Sequence, residues 1–291
     1  MQIFNRETRQ VASNSISNGS VEAQVPLMQK KVALFLLFLL LISPVMGQGI
    51  KDIESLYQQH RWFELRDALS YQKADGFYQT IVACSFNEID KCQRGATAIF
   101  RSAPGSEQAF QAHEALGYLY FREGRYRQAL SEIEAQLAIK PDKADLKSGR
   151  ELLRALSQNP ELKIERRRIS RLKYDSKDGG MYAPVTINGK TGQYFIDTGL
   201  NVSLLCESEA KRLGLSIREI SPEATRLTGN AGGRIGFRLA LADRLTLGDC
   251  EIRNVVFLVV SDEQEPFREL PPGRRGGIGL PVLMALESVS W

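Results

Sequence analysis

The apolar pattern of this chain changes once, near residue 180, and that change limits what its 291 residues can fold into. Upstream, apolar residues recur every three or four positions, which is typical of amphipathic helices. Downstream they alternate with other residues, as at Phe237, Leu239 and Leu241, which is typical of half-buried strands. The sequence therefore predicts a multidomain α and β protein, with α-helical hairpins followed by a small, mainly antiparallel β-barrel.

Composition adds only broad limits. The hydrophobic and charged fractions, 43% and 25%, are ordinary for a globular protein. A net charge of +4 is too small to indicate nucleic-acid binding. We predict a helical domain over residues 48–158, a basic linker over 159–180 and a β domain over 181–291.

The predicted linker is rich in positive charge. It begins at Asn159–Pro160, where proline ends the preceding helix, and it holds seven basic and two acidic residues between Lys163 and Lys177. Such a run is most simply a solvated face. The alternative is a surface for an anionic membrane or an acidic partner.

A short apolar run near the N-terminus predicts export. The eleven residues Val32–Ile42 follow Lys30–Lys31, and this length fits a signal-peptide core better than a membrane span of about 20 residues. We predict a signal region over residues 1–47, cleavage after Gly47 and a true start at Met28. The protein is then periplasmic or secreted, and it is membrane-anchored if the signal is not cleaved.

One stretch of the helical half has the spacing of a tetratricopeptide repeat (TPR). The small residues Gly117 and Ala129 would let two helices cross closely. The positions that match the repeat are His113, Leu116, Gly117, Tyr120, Ala129, Ile133 and Pro141. Two interpretations stay open: a concave surface for a protein partner, or a helical spacer packed on its neighbour.

Export makes the cysteines candidates for disulfides. One bridge per domain would pair Cys84 with Cys92 and Cys206 with Cys250, although four cysteines allow three connectivities. Neither spacing resembles a zinc site, and we predict no metal and no cofactor. The only histidines, His60 and His113, lie in the helical half, which argues against Ser-His or Cys-His catalysis downstream.

The most informative motif is Asp197-Thr198-Gly199, directly after the apolar run 194–196. Upstream, two predicted strands surround Asn188–Gly189, a dipeptide that favours a tight hairpin. The glycine-rich stretch 228–233 lies about 30 residues after the aspartate, and a second one follows at 276–283.

This ordered set resembles the retropepsin-like aspartic proteases, over residues 180–291. The resemblance implies an acid-protease barrel in which Asp197 activates a water, Thr198 braces the loop and Gly199 admits substrate closely. It also implies a substrate-binding segment and a mobile flap that together contain Asn201, Gly229, Asn230, Ala231, Gly232 and Gly233.

The chain holds a single Asp-Thr-Gly and no Asp-Ser-Gly. The resemblance therefore implies a homodimer in which Asp197 of a second copy supplies the other carboxylate, with a peptide or protein as substrate. The alternative is a non-catalytic module, in which the TPR-like helices capture a partner and the β domain holds peptide or mediates assembly.

Three departures from the family pattern carry expectations of their own. Leu200 stands where alanine or serine is usual, and we expect it to crowd the substrate cleft. Gly277 replaces an aliphatic residue, and we expect looser support of the loop. Family members continue into a final strand, and Leu286–Trp291 is short for it, so we expect a C-terminally truncated domain.

Overall fold

The structure is a computed structural model that describes residues 52–72, 75–176, 180–222, 224, 227–228 and 234–287. The predictions for residues 1–51, including the signal region and Met28, lie outside the described residues. The chain divides into two compact units, Gln2–Ala74 and Asp75–Trp291. The predicted boundary near residue 159 therefore falls inside the second unit. The first unit contains helices α1 (Ile53–Gln58) and α2 (Trp62–Tyr71).

The second unit begins with helices that pack as consecutive antiparallel neighbours. Side chains of Asp75 and Ser106 accept hydrogen bonds from the first turns of α3 and α5 and so fix where these helices start. The helices are α3 (Gly76–Ser85), α4 (Ile89–Ser102), α5 (Glu107–Arg122), α6 (Tyr126–Ile139) and α7 (Ala144–Ser157). Among the described helices, none is long and apolar enough to cross a membrane.

Helices α5 and α6 meet closely, as the small residues predict. A Cβ on Gly117 would lie 3.2 Å from the Cβ of Glu132, and Ala129 is 1% exposed. His113 stacks on Phe100 with ring centroids 3.7 Å apart, and its Nδ1 lies 2.6 Å from Glu132 Oε2. This histidine therefore has a packing role. The TPR-like character of the helices stays a prediction.

The cysteines divide into one bridge and two free thiols. Cys84 and Cys92 form a disulfide that joins α3 to α4. The predicted pairing of Cys206 with Cys250 is wrong, because both thiols are free and buried. Cys206 pairs with Val260, the last residue of an 11-residue strand, and Cys250 is the first residue of that strand. At about 3.3 Å per residue these ends are on the order of 30 Å apart, and a disulfide needs Cα atoms within about 7 Å.

The β domain is a closed, mostly antiparallel sheet. The strands are β1 (Lys163–Arg166), β2 (Tyr182–Ile187), β3 (Lys190–Ile196), β4 (Ser203–Cys206), β5 (Ile217–Arg218), β6 (Leu227–Thr228), β7 (Arg234–Ile235), β8 (Arg238–Leu247), β9 (Cys250–Val260) and β10 (Gly276–Ile278). The order in the sheet is β1-β9-β4-β10-β3-β2-β8-β5, and a further pairing of β8 with β9 closes the barrel, while β6 and β7 pair with each other. Two helices, α8 (Glu207–Leu213) and α9 (Leu280–Ala285), pack on this sheet.

Local sequence explains the two long hairpins. Asn188 and Gly189, with φ of 46° and 81°, make the tight turn between β2 and β3, as predicted. Gly248, with φ of 58°, turns the chain between β8 and β9. The core of the barrel lies between the sheet and its two helices, and its fully buried members include Val185, Ile187, Tyr194, Leu205, Leu245, Ile252, Phe257, Ile278 and Val282.

The predicted basic linker contributes a strand to this barrel. Lys163 and Ile164 of β1 pair with Arg253 and Ile252 of β9 in antiparallel register. The helices of the second unit are also tied directly to the β domain. Arg218 donates a hydrogen bond of 3.0 Å to the carbonyl oxygen of Ala155 at the end of α7. The helix before the predicted linker therefore contacts the β domain directly, and the linker itself pairs with the sheet.

Candidate active site

Asp197 lies at the carboxyl end of β3, beside β10. The two strands run parallel, with Ile278 opposite Ile196. The Asp197 backbone N–H donates a hydrogen bond of 3.0 Å to the carbonyl oxygen of Ile278. The aspartate is therefore fixed at the point where two parallel strands end, and its side chain is only partly buried.

The residues after Asp197 form a tight loop around its carboxylate. Gly199 donates its backbone N–H to Asp197 Oδ1 at 2.7 Å, and Leu200 donates its own to the Asp197 carbonyl oxygen at 3.3 Å. A Cβ on Gly199 would lie 3.0 Å from Asp197 Oδ1, so glycine suits this approach. Thr198 and Gly199 are exposed at the tip of the loop.

A second set of contacts holds the far end of this loop. The Leu200 carbonyl oxygen accepts a hydrogen bond of 2.8 Å from the Leu280 N–H. The hydroxyl of Ser203, which is 1% exposed, accepts one of 3.0 Å from the Gly279 N–H. A Cβ on Gly279 would lie 2.6 Å from the Leu200 carbonyl oxygen, so this close crossing requires a glycine.

Leu200 and Gly277, two departures from the family pattern, lie against each other. A Cβ on Gly277 would lie 2.6 Å from Leu200 Cδ1. The Leu200 side chain thus occupies the space that a side chain at position 277 would fill. The expectations of a crowded cleft and a loosely supported loop treated the two positions separately, whereas the structure makes them one packing contact beneath the loop.

A buried polar cluster supports β3 and the loop before β10 from the opposite side. The Glu209 carboxylate, 1% exposed, accepts hydrogen bonds from Tyr194 Oη (2.5 Å), the Arg212 guanidinium (2.7 Å) and the Gly273 N–H (2.9 Å). Burial alone would raise the pKa of Glu209, but these hydrogen bonds lower it below its ordinary value. Burial, together with the neighbouring Glu209, raises the pKa of Tyr194. The cluster therefore holds an ionised glutamate beside a neutral tyrosine.

The structure describes the two strands next to the predicted flap but not the flap residues themselves. The strands β6 and β7 pair in antiparallel register, Leu227 opposite Ile235 and Thr228 opposite Arg234. The predicted substrate-binding residues Gly229, Asn230, Ala231, Gly232 and Gly233 connect them and lie outside the described residues. Asn201 is partly buried in the loop that follows Asp197.

The electrostatic surroundings of Asp197 are simple. Within the described ranges, no basic side chain forms an ion pair with its carboxylate. In the same part of the chain, no cluster of His, Cys, Asp and Glu can hold a metal ion. The site therefore presents a carboxylate that the Gly199 N–H orients in a hydrogen-bonded loop. Such a group can act as a base or share a proton with a second carboxylate.

Sequence comparison assigns a family to this part of the chain. Residues 183–281 match the family model described as aspartyl protease. Over these residues the β domain is similar to the aspartyl protease family. The predicted resemblance is thereby confirmed, and the order of an α-helical region before a β domain is confirmed as well.

Solved structures that are similar to the β domain include the following three. A retropepsin-like aspartic protease from Rickettsia conorii is 19% identical, with 43% of this chain and 80% of that chain covered and a TM-score of 0.30. The EIAV protease in complex with the inhibitor HBY-793 is 16% identical, with 41% and 99% covered and a TM-score of 0.30. The retroviral protease-like domain of Ddi1 from Leishmania major is 20% identical, with 40% and 78% covered and a TM-score of 0.25. No curated protein matches the chain.

Sequence reasoning missed the residues that support the protease loop from behind. Glu209 has ordinary neighbours in the sequence, and nothing there predicts that it is buried. The sequence marks Gly279 only as a member of the glycine-rich stretch 276–283, and Gly273 lies just before that stretch. A signal for Ser203 exists in hindsight, because a serine in a short apolar strand directly after a sharp loop needs a backbone partner.

Proposed function

We propose that this chain is an aspartic endopeptidase that hydrolyses peptide bonds as a homodimer. The observation that carries the proposal is the loop at Asp197, where the Gly199 N–H binds the carboxylate at 2.7 Å and the backbone is hydrogen-bonded to Ile278. A carboxylate held this firmly on a loop with an exposed tip is suited to meet its counterpart from a second copy. The aspartyl protease family match over residues 183–281 supports the same function.

The chemistry follows from two like charges at short distance. Two carboxylates about 3 Å apart cannot both ionise easily, so the pair shares one proton, and its apparent pKa values belong to the pair. The ionised carboxylate takes a proton from a water as that water attacks the peptide carbonyl carbon. The protonated carboxylate stabilises the developing oxyanion by a hydrogen bond. The carboxylate that took the proton from the water then gives it to the leaving amine nitrogen as the C–N bond breaks.

A homodimer is needed because one chain supplies one Asp-Thr-Gly. Thr198 and Gly199 are exposed at the tip of the loop, where a second copy related by a twofold axis can approach them. In the assembled enzyme, Thr198 would brace the partner loop and residues 229–233 would close over the substrate and expel water.

Export and partner selection complete the proposal. The apolar run Val32–Ile42 behind two lysines supports export to the periplasm or the medium, with a membrane anchor if the signal is retained. The disulfide between Cys84 and Cys92 is compatible with an oxidising compartment. The helices that precede the protease domain would present a surface for a protein partner.

The test is cleavage of a peptide library between about pH 3 and 7, with oligomeric mass recorded in parallel. Asp197→Asn is the matched variant, since it keeps the shape of the side chain and removes its charge. We expect a cleaving dimer in the parent and no cleavage in a folded Asp197→Asn dimer. Equal rates in the two would overturn the catalytic assignment. A folded parent dimer that cleaves nothing would favour a non-catalytic peptide-binding module.

A further inference from the structure

The basic segment upstream of the protease domain is fastened to the barrel surface. We define the basic strap as residues 166–174, which follow the end of β1. Arg166 Nε donates a hydrogen bond of 2.9 Å to the Asp249 carbonyl oxygen, and the Asp249 N–H donates one of 3.2 Å to Ser170 Oγ. The Cys250 thiol donates to the Arg168 carbonyl oxygen at 3.2 Å. The strap therefore has a defined course along the turn between β8 and β9.

The contact between strap and turn is close. A Cβ on Gly248 would lie 2.1 Å from Ser170 Oγ and 3.4 Å from Leu172 Cδ2. Farther along, Arg167 donates a hydrogen bond of 2.8 Å to the Ala285 carbonyl oxygen at the end of α9. Because both its backbone and its side chains are held, the strap presents its remaining side chains in a fixed arrangement.

Those remaining side chains are basic and apolar in alternation. Ile169 is fully exposed (102%), Tyr174 is 53% exposed and Leu172 is 36% exposed, so solvent reaches all three apolar side chains. Between them stand Arg168, Arg171 and Lys173, which are all exposed.

The charge of the strap is only partly compensated. Arg166 and Arg167 form ion pairs with Glu251 and Glu287. Within the part of the chain that the structure describes, Arg168, Arg171 and Lys173 enter no ion pair. The nearest acidic neighbours along the chain and across the turn are Asp175 and Asp249. The strap itself holds five basic residues and no acidic one.

We propose that the basic strap docks the protein on an anionic lipid surface. Arg168, Arg171 and Lys173 would lie against lipid phosphates, and Ile169, Leu172 and Tyr174 would enter the interfacial layer. A fluid bilayer fits this arrangement better than a folded acidic protein does, because the apolar side chains stand singly among charges on an open surface with no cleft around them. Tyrosine is also favoured at the membrane–water interface. The inference does not depend on peptidase activity.

The experiment places a reporter at the proposed contact. Ile169→Trp is introduced in the full chain, and the emission of the parent, which carries Trp62 and Trp291, is subtracted. We expect a blue shift with vesicles that contain phosphatidylglycerol and none with phosphatidylcholine alone. Insertion of residues 32–42 would not by itself produce this shift, because the reporter senses only its own surroundings.

Two triple variants that remove the same charge distinguish an effect of the strap from an effect of the net charge of the protein. In the Ile169→Trp background, R168S/R171S/K173S should weaken partitioning about a hundredfold, since each cation near an anionic surface contributes about fivefold. R94S/R101S/K147S removes the same charge from exposed positions on the helices and should leave partitioning unchanged.

Three results would overturn the proposal: equal shifts with neutral and anionic vesicles, equal losses in the two triple variants, or no shift on vesicles. A shift with polyglutamate in place of vesicles would assign the strap to an acidic protein instead.

Discussion

The loop that carries Asp197 is supported on two sides, and the two supports are of different kinds. On the side of β10 and α9 the backbone is hydrogen-bonded and the fit is steric, because Gly277 and Gly279 let Leu200 and the loop backbone approach within contact distance. On the side of α8 it is electrostatic, because the buried Glu209 joins Tyr194, Arg212 and the Gly273 N–H. A steric support tolerates no added atom, whereas a polar support tolerates no lost partner.

We expect the largest loss of stability from removing the charge of the polar support. Glu209→Gln leaves Arg212 without its counterion beside a buried hydroxyl, and we expect it to lower the free energy of unfolding by about 3 kcal/mol. Urea unfolding at pH 7 measures this loss. The matched control is Glu207→Gln, two residues earlier on the same helix, where the carboxylate is 30% exposed and pairs with Arg238 and Lys211. The control should cost much less, because ion pairs that solvent reaches contribute little, and equal costs would refute the distinction between the two pairs.

Adding one methyl group tests the steric support. Gly279→Ala places a Cβ 2.6 Å from the Leu200 carbonyl oxygen, so the backbone of the loop must move. We expect a loss of about 2 kcal/mol in stability and, given the proposed activity, about a hundredfold in kcat/KM, since misplacement by about 1 Å is that costly. Gly236→Ala, where nothing lies within 4 Å of the added Cβ, is the control. Unchanged cleavage by a folded Gly279→Ala variant would show that the close crossing does not position the loop.

A smaller loss of stability is expected where the added methyl group meets a flexible side chain and not the backbone. The Cβ of Gly277→Ala clashes with Leu200 Cδ1, the end of a side chain that can rotate away, and is in ordinary contact with the Phe195 carbonyl oxygen at 3.7 Å, so we expect a loss of about 1 kcal/mol. The same substitution in a Leu200→Ala background should cost nearly nothing, because the space is then empty. A double-mutant cycle in urea measures the coupling, and additive effects would contradict the packing of these two residues.

The smallest effect is a pH dependence of the polar support alone. Because the pKa of Glu209 is lowered in the folded protein, its contribution is complete above the ordinary glutamate pKa of about 4.3 and is lost as the pH falls through the lowered value. The stability difference between parent and Glu209→Gln should therefore be constant near neutrality and shrink below about pH 4. Urea midpoints from pH 7 to 3 measure it, and a difference that persists unchanged in acid would exclude an ionised Glu209.

The two supports also differ in how far sequence could predict them. The Asp-Thr-Gly loop and the glycines after it were predictable, because few residues tolerate such close backbone approach. The polar support was not, since Glu209 sits in an ordinary helical sequence and is buried only by the way α8 packs on β3. The strand β1 escaped notice for a similar reason: Lys163–Arg166 is charged, and its place in the sheet comes from backbone pairing with β9.

The cysteines also show how far pairing can be predicted from sequence. Cys84 and Cys92 are close in sequence, and two adjacent helices keep them close in space. The pairing of Cys206 with Cys250 rested on their sharing a domain. Strand topology decides against it, since β9 separates the two thiols along its whole length.

The contact between Leu200 and Gly277 also restricts how this sequence can change over time. A side chain at position 277 and leucine at position 200 compete for the same space, so replacing the glycine first passes through an overpacked intermediate. Shortening residue 200 first opens a path on which each single step leaves a viable protein. Descendants of this sequence should therefore vary at the two positions together, and in that order.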